Sequence, residues 1–475
     1  MKKKEQIFIL LLLLFTTPLL WAQEQQLTLD QALDMALKNN REVEVSRLEV
    51  DKAKAAVKEA FGYALPTVAL SANLSHFLQK PKMAFPDFRA MLNNATYGIL
   101  FDEGVLPYDA SKFMPLGFKL QTFARENSYQ AQLQVTQILF NSAVLRGIGA
   151  SQIYLHLSEE KLKSTVSKTA LNVKKAFYGV LLARDLLNIA KSRFANAQEH
   201  LQNIKSMHEQ GLISNFNLMQ AEVRVKNLQP IILQLENVLL SAQDGLKILL
   251  HIDQNTAITV IGKMQYEDAP LPSQKELIRE ALKSNLTIRT LQIKRQLDDE
   301  LTAIDRGGYW PTLAAFGNYS YAGSGEGWNF QNYQSSMIGV TFSINLFQGG
   351  RTAHKVQQDQ ITAKQTDEQI STLSDATVTS IKSKVNDLKR VKKLIELMQD
   401  NIDLAKKAYQ IAEDRYQQGL SSELELKDAD IALSQAKTNF TNSIHDYLIA
   451  KAELFDLVGK LDSTSTEFIK NLLHK

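Results

Sequence analysis

The chain has 475 residues, of which 22% are charged and none is cysteine, and its formal net charge is +3. Without cysteine it cannot form disulfides, bind a metal through thiolates or carry a lipid on an N-terminal cysteine. The nearly balanced charge gives no electrostatic case for a nucleic acid partner. Only 10 prolines and 21 glycines are present, which indicates a chain dominated by helices.

Residues 1–22 are interpreted as a signal peptide. A basic start at residues 2–4 precedes nine apolar residues at 7–15, and small residues allow cleavage after Ala22. The apolar run is too short to span a bilayer as a helix. We therefore expect the mature chain to be exported. No second apolar run of 18 residues follows, so if the chain enters a membrane we expect it to do so as a β-barrel.

The first structural repeat is predicted over residues 23–265. Its expected elements are two strands and one helical hairpin, at about 67–78, at about 128–140, and at about 142–250 with a turn at 211. Pro230 falls inside the second helix of the hairpin. We expect it to break or bend that helix because proline removes a backbone donor.

The second structural repeat is predicted over residues 266–475. Its expected elements are again two strands and one hairpin, at about 312–322, at about 333–347, and at about 351–458 with a turn at 419. No Gly or Pro interrupts the 68 residues from Arg351 to Gln418. A helix of that length reaches roughly 100 Å. Its apolar stripe is narrow, so it must pack against other helices.

The second half of the chain therefore repeats the plan of the first. Pro66 and Pro311 each follow a helical run and open an alternating segment, and a glycine followed by leucine separates the long helices of each half. A unit of roughly 200 residues used twice is a duplication and not a short-repeat solenoid.

One segment is unequal between the halves. The prolines that open the first strands lie 245 residues apart, whereas Phe140 and Phe347, which close the second strands, lie 207 apart. The first half thus holds about 38 additional residues, around 79–124. The family resemblance given below implies that these residues form an extended extracellular loop. The sequence leaves open whether this loop caps a pore, binds a surface partner or is a family-specific elaboration.

The four strand segments alternate apolar and polar residues over about ten positions, as in Val68, Leu70, Ala72 and Leu74. This pattern is typical of barrel strands with lipid outside and water inside. An ordinary half-buried sheet alternates in the same way. Because four strands cannot close a water-filled barrel, which needs about eight or more, a membrane barrel requires several copies of the chain.

With these features, the sequence resembles the TolC-type outer-membrane efflux proteins. The resemblance covers about residues 27–461 and rests on the order of the elements, which occurs twice. Its most specific segments are Leu65-Pro66, Trp310-Pro311, Asn345 to Gly350, and Tyr416 to Leu420. It implies an α+β membrane protein that forms a homotrimer. Three copies would close a 12-stranded outer-membrane β-barrel that continues into a periplasmic α-helical barrel.

The resemblance also implies a function and partners. Such proteins are the exit channel of a tripartite efflux system, and they passively conduct substrates from an inner-membrane pump and a periplasmic adaptor to the cell exterior. The expected location is the outer membrane, with outer-membrane lipid around the barrel and a large periplasmic portion. No cofactor, metal or nucleic acid is expected. The substrate and the particular pump and adaptor are not encoded in the sequence.

Glu425 and Asp428 are the candidate pore gate. They lie three residues apart just after the Gly419 turn and so share one helix face. Aligned on this turn, they match the acids that line the periplasmic constriction in the family. Six carboxylates in a trimer would attract cations. The alternative is structural, since Ser422 to Glu425 reads as a capping box that satisfies a helix N-terminus.

Two further groups of residues are candidates on the resemblance. The adaptor-docking tip comprises Gly211, Leu212, Ser214, Gly419, Leu420, Ser421 and Ser422, although each leucine could instead pack on its own hairpin. The strand start at the membrane interface comprises Pro66, Tyr309, Trp310 and Pro311. The aromatic rings of Tyr309 and Trp310 suit an interfacial belt. Packing at the junction of helix and strand is the alternative for these.

Other functions are weaker interpretations. A type I protein secretion duct would use the same channel, and an exported coiled-coil scaffold or adhesin would carry its strands in a soluble sheet. No nucleophile and base stand together, so we do not expect an enzyme. The histidines show no metal spacing, and we interpret His200 and His208 as lying on solvated helix surface.

Overall fold

The computed structural model describes residues 25–268 and 270–473, and the chain divides into two compact units. The first unit comprises the chain up to Val57, Gly149–Glu300 and the chain from Gln357 onward; the second comprises Lys58–Ile148 and Leu301–Val356. The predicted signal peptide, residues 1–22, lies outside the described residues. Among the helices that the structure describes, none is both long enough and apolar enough to cross a membrane.

The first half of the chain contains both very long helices and short strands. In chain order its elements are β1 (Gln25–Leu27), α1 (Leu29–Asn39), α2 (Arg41–Gly62), β2 (Thr67–His76), β3 (Met83–Pro86), α3 (Phe88–Asp102), β4 (Phe118–Gln121), β5 (Asn127–Phe140), α4 (Ser142–Glu209), α5 (Asn215–Leu250) and β6 (Ile258–Val260). A short 3₁₀ turn at Ala110–Lys112 lies between α3 and β4.

The second half repeats the order of two helices, two strands and two long helices, and its described residues between the two strands hold no counterparts of β3, α3 and β4. Its elements are α6 (Gln274–Ser284), α7 (Leu286–Arg306), β7 (Thr312–Gly325), β8 (Gln331–Ser343), α8 (Arg351–Gln417), α9 (Glu423–Val458) and α10 (Ser463–Leu473). A 3₁₀ turn at Gly307–Tyr309 precedes β7. The long helices α4 and α8 have 68 and 67 residues, so the hairpins of the two halves are nearly equal in length.

The duplication extends to individual hydrogen bonds. Asn40 joins α1 to α2 and Asn285 joins α6 to α7, and each side-chain oxygen accepts from the backbone N–H groups two and three residues on. Each side-chain amide donates to a carbonyl near the end of the following hairpin, Leu249 at 3.3 Å and Leu457 at 2.9 Å. The same asparagine thus anchors a helix pair to a hairpin twice.

The main core of the first unit lies where these helix pairs meet the hairpins. It contains large side chains that are almost completely buried, from both halves of the chain, including Leu33, Leu181, Leu246, Leu277, Ile381, Leu388 and Leu454. Strands β1 and β6 pair in parallel beside it, with Leu27 opposite Val260. Burial of these apolar surfaces holds the two repeats of the first unit together.

The second unit contains a four-stranded antiparallel sheet in the order β2-β5-β7-β8. Strands β2 and β8 are its edges. The register separates two faces. One face carries Leu70, Leu133 and Tyr319 in one row across three strands, and the other carries Ser71, Gln132 and Ser320 in the next row.

The segment predicted as an extended loop at 79–124 has regular structure. Strands β3 and β4 pair antiparallel, and the side chain of Asp87 caps α3 by accepting from the N–H groups of Arg89 and Ala90. The ring of Phe85 stacks on Phe88 at 5.4 Å and meets Phe123 edge-on at 5.1 Å. Aromatic packing and a good helix cap order a segment whose proline and asparagine content suggested a loop.

Helix α5 continues through Pro230 from Asn215 to Leu250, so the predicted break does not occur. A proline removes one backbone donor, and this helix has many other hydrogen bonds on both sides of that position. Packing of the flanking residues, with Leu228 and Leu246 buried, is sufficient to maintain it.

Candidate functional site: the hairpin tips

The two hairpins end in turns of nearly identical backbone geometry. Gly211 has φ +74° and Gly419 has φ +75°, in the left-handed region that glycine adopts without strain. The next N–H group donates back across each turn, from Leu212 to the Met207 carbonyl at 2.9 Å and from Leu420 to the Arg415 carbonyl at 2.8 Å. These turns, with the first turns of α5 and α9, are called the tips below. Glycine is strongly favoured at both positions.

Helices α5 and α9, which begin directly after the two turns, are capped in the same way. The Ser214 hydroxyl accepts from the N–H of Asn217, and the Ser422 hydroxyl accepts from the N–H of Glu425, each at 3.3 Å. Half of the predicted capping box is therefore present in the second tip. The Glu425 carboxylate instead accepts from the Ser421 hydroxyl at 2.7 Å. Its position is fixed by a neighbour in the turn, and its side chain stays exposed.

Both gate candidates lie on the surface of the chain. Glu425 and Asp428 are exposed on the first turns of α9. Leu212 and Leu420 are also exposed, by 67% and 64%. Most of each side chain is therefore not covered by its own hairpin, and the docking role of these leucines stays a prediction. The tip presents two apolar side chains and a pair of carboxylates to its surroundings.

A third acid, Asp430, was not among the predicted residues. It lies two positions after Asp428 but is only 3% exposed. Its Oδ2 accepts from Arg193 Nε on α4 at 2.9 Å and from Arg224 Nη2 on α5 at 2.8 Å. One carboxylate of the second hairpin is thus bound by two guanidinium groups of the first hairpin. Helical spacing could have indicated its burial, since Leu426 lies four residues earlier on the same face and is also buried.

A cavity of about 510 Å³ lies beside this ion cluster, between α5 and α9. Apolar side chains, including Phe216, Val223 and Leu424, form much of its wall, and Arg224 and Glu423 line it as well. Arg224 Nε and Nη1 and Glu423 Oε2 have no hydrogen-bond partner among the described residues. Burial raises the pKa of the Glu423 carboxyl, against the opposing attraction of Arg224 and Lys427.

His200 lies inside the tip region and not on solvated surface as predicted. Its ring is half-buried and contacts Tyr416, with ring centroids 4.8 Å apart. Burial, together with the positive charge of Arg224, lowers the pKa of His200 to about 4. Nearby, burial and the carboxylates of Glu413 and Asp430 raise the pKa of Tyr409 to about 12. Both rings are therefore uncharged near neutral pH.

The strand-start residues lie in the second unit, at the junctions of helix and strand. Pro66 and Pro311 immediately precede β2 and β7, and the Trp310 N–H donates to the Gly307 carbonyl at 3.0 Å. Tyr309 and Trp310 are exposed by 53% and 62%. Large exposed rings at a strand end suit an interface between water and lipid. The described residues contain no group of three His, Asp or Glu side chains that could hold a metal ion.

Comparison with known proteins agrees with this architecture. The sequence profile of the outer membrane efflux protein family matches residues 32–250 and 277–460. The chain is 22% identical over 372 residues to the outer membrane protein TolC of Escherichia coli K12, covering 76% of this chain and 75% of TolC. It is 22% identical over 356 residues to the alkaline protease secretion protein AprF of Pseudomonas aeruginosa, covering 72% of each.

The fold is shared with solved channels. The crystal structure of the CmeC outer membrane channel of Campylobacter jejuni superposes with a TM-score of 0.71 and 18% sequence identity, covering 94% of this chain and 89% of CmeC. Most of the chain matches the family profile, and the chain belongs to the outer membrane efflux protein family. The predicted resemblance is thereby confirmed, as is the predicted outer membrane location with a large helical periplasmic part.

Proposed function

We propose that the protein is the outer-membrane exit channel of a tripartite efflux system and works as a homotrimer. Three copies close one 12-stranded barrel in the outer membrane and one helical barrel in the periplasm. Substrates pass from an inner-membrane pump through a periplasmic adaptor and this duct, without chemical change. The family consists of channel proteins, which supports a role without catalysis.

The four-stranded sheet is the main observation that supports this proposal. Strands β2 and β8 are the edges of the four-stranded sheet, and their backbone groups point away from it. Open edges of this length readily pair with another strand. Across β2, β5 and β7 one face is mainly apolar and the other mainly polar, as in strands between lipid and water. On β8 the apolar face continues at Ile338 and Val340 and becomes polar at Ser336, Gln334 and Asn332. Because four strands are too few to enclose a pore, pairing of β8 with β2 of the next copy is the simplest closure.

The long helices support association as well. On α8, Leu397, Leu404 and Ile411 are exposed and seven residues apart. On α5, the exposed pairs Phe216 with Val223 and Leu233 with Leu240 follow the same step. A seven-residue repeat of apolar side chains is the pattern of a helix packed on another helix. We infer that α5 of one copy packs against α8 of the next copy.

Within this trimer we assign the acids of the second tip to the gate. Glu425 and Asp428 from three copies place six carboxylates around the periplasmic mouth, and only the second hairpin contributes them. The exposed leucines Leu212 and Leu420, on turns shaped by Gly211 and Gly419, are assigned to adaptor docking. Ser214, Ser421 and Ser422 hold these turns in shape through caps and a side-chain hydrogen bond.

Protein secretion is the second candidate function. A relative of similar length is named an alkaline protease secretion protein, and the matched region covers 72% of both chains. The same duct would then serve polypeptide cargo. An exported scaffold is a weaker alternative, because a scaffold does not require an apolar face and a polar face along four strands.

The first experiment is the native mass of the protein extracted from purified outer membranes in mild detergent. We expect a trimer of about three times 53.4 kDa, slightly less after signal cleavage, found in that fraction alone. A monomer or dimer recovered from the soluble periplasm would contradict the channel and favour the scaffold.

The docking assignment has its own test. Leu212→Asp together with Leu420→Asp should abolish transport in cells that carry the pump and adaptor, with the trimer intact. Leu233→Asp, which changes the inferred contact between copies, is the matched variant and should instead weaken the trimer. Normal transport by the double tip variant would contradict docking at the tips.

A further inference from the structure

The cavity beside the Asp430 ion cluster is lined by a buried cation whose hydrogen bonds are incomplete. The Arg224 side chain is only 10% exposed, and its Nη2 donates to Asp430 at 2.8 Å. Its Nε and Nη1 are buried as well and have no hydrogen-bond partner among the described residues. Buried charged donors are nearly always paired, because an unpaired one keeps the full cost of its removal from water. This guanidinium therefore calls for an acceptor in the cavity.

The charges around the cavity do not balance. Three cationic side chains line it, Arg193, Arg224 and Lys427, and Glu423 is the one acid among the described residues of its wall. Asp430, which binds both arginines, adds a second negative charge. One positive charge remains in excess. The cavity is therefore electrostatically complementary to a monoanion.

Most of the remaining wall is apolar, and the cavity has the size of a small-molecule site. Its volume of about 510 Å³ falls within the range of about 300–1,000 Å³ that is usual for ligand pockets. The apolar lining residues are Phe216, Met219, Val223, Leu228, Ile231 and Leu424. A ligand that matches both parts of the wall carries one anionic group on an apolar body.

Packing of a neighbouring copy would not complete the hydrogen bonds of Arg224. Phe216 and Val223 belong to the apolar repeat on α5 that, in the proposed trimer, packs against α8 of the next copy. The exposed repeat on α8 offers Leu404 and Ile411 there, and neither side chain contains a hydrogen-bond acceptor. An apolar seam over the cavity would bury the guanidinium further, which raises the cost of leaving its N–H groups without an anion.

We propose that this cavity binds a small amphipathic monoanion, whose carboxylate or sulfonate accepts from Arg224 and whose apolar body packs against Phe216 and Leu424. Such a ligand joins α5 to α9 at the tip, because each helix supplies part of the wall. The cavity is formed within a single chain, so the inference goes beyond the proposed channel and does not depend on it.

The test is the binding of 2-naphthoate to the full-length protein in detergent, measured by calorimetry with detergent alone as the blank. The uncharged 2-naphthamide has nearly the same shape and is the matched probe. Charge-assisted hydrogen bonds to a buried guanidinium should make naphthoate bind at least about tenfold more tightly than the amide. Binding should saturate at one molecule per chain and should slow amide hydrogen exchange in residues 216–224 of α5.

Asn227→Asp is the variant that tests the role of Arg224. Asn227 lines the cavity one turn after Arg224, so a carboxylate of the same shape there pairs with the guanidinium and repels the ligand. Naphthoate affinity should fall at least about tenfold. Glu423→Gln, which removes a negative charge from the wall, should raise it. Asn237→Asp makes the same change ten residues further along α5, outside the wall of this cavity, and should leave the affinity unchanged.

Three outcomes would overturn the inference. Equal affinities for naphthoate and naphthamide, or a naphthoate affinity that Asn227→Asp leaves unchanged, would mean that apolar surface takes up the probe without Arg224. A folded wild-type protein without saturable binding would mean that the next copy or water fills the cavity. The native mass of the same sample tests the proposed channel separately, since a monomer that binds naphthoate would contradict the channel and support this site.

Discussion

The two tips have the same backbone and different chemistry. Their turn glycines differ by 1° in φ, their backbone hydrogen bonds differ by 0.1 Å, and their serine caps have equal lengths. Yet the second tip carries acids at 423, 425 and 428, whereas the positions that match the last two in the first tip are Asn217 and Gln220. Duplication preserved the turn and allowed its side chains to diverge.

The difference indicates that the two hairpins have different roles at the tip. The acids of the second tip are exposed at 425 and 428 and buried at 430, and the buried one is held by two arginines of the first hairpin. The first hairpin thus supplies the cations that fix the second, and the second supplies the exposed negative charge. A trimer built on this plan has three tips that carry this pair of acids and three that carry Asn217 and Gln220 instead.

The largest effect is expected at the ion cluster. Asp430→Ala leaves Arg193 and Arg224 without their shared carboxylate, and removal of one partner of a buried ion pair costs about 3–5 kcal/mol. The loss should appear as faster amide hydrogen exchange in the first turns of α9 and in the facing turns of α4 and α5.

Asp428→Ala is the matched control for that experiment. This side chain is exposed, so its removal should change local stability by less than about 0.5 kcal/mol. Equal exchange rates in the two variants would mean that the hairpins are held together at the tip by apolar packing and not by the Asp430 cluster.

The glycines offer a direct comparison of the two turns. Gly211→Ala and Gly419→Ala each place a Cβ in the left-handed region, at a cost of about 1–2 kcal/mol. Neither new Cβ would contact another atom within 4 Å, so backbone strain is the whole effect. The two variants should therefore lose equal protection at the Leu212 and Leu420 amides. Unequal losses would show that the turns differ in tertiary support, despite their matching geometry.

Much of the fold could be predicted from the sequence because its signals are local and occur twice. The run free of Gly and Pro from Arg351 is helix α8, and the similar run of the first half, which contains Gly179, lies in helix α4. The alternating segments are strands β2, β5, β7 and β8, and the glycines at 211 and 419 are turns. The segment 79–124 was less predictable. Its order depends on ring contacts such as Phe85 with Phe123, which join residues 38 positions apart.

The tip was predictable at its surface and not in its interior. The positions of Glu425 and Asp428 follow from counting along one helix from a glycine. The role of Asp430 could not be predicted, because it depends on contacts with Arg193 and Arg224, which lie on two other helices. His200 similarly owes its environment to Tyr416, more than 200 residues away. Contacts between helices that are distant in sequence leave no periodic signal within either helix.

The smallest effect is expected from mild acidification, and it again separates the two tips. His200 has Ala408 as its counterpart eleven residues before the other turn glycine. Its pKa is lowered from 6.5 to about 4 in the folded tip, so below pH 6.5 the unfolded tip binds a proton that the folded tip does not. The free energy of opening therefore falls as the pH falls from about 6.5 to about 4.

Between pH 7 and pH 6 the loss should be less than about 1 kcal/mol, because only part of the unfolded population gains this proton over that range and because solvent screens a half-buried ring. The ring of Tyr416 contacts His200, and the positive charge of Arg224 acts on it. Glu423 interacts electrostatically with both Tyr416 and Arg224. Because the pKa of Glu423 is raised in the folded tip, its protonation at lower pH changes the free energy of opening in the opposite direction. His200→Phe keeps a ring against Tyr416 and removes the titration. Amide protection of the first tip, corrected for intrinsic exchange at each pH, should then lose its dependence between pH 7 and pH 6. Unchanged pH dependence in that variant would assign the effect to another group.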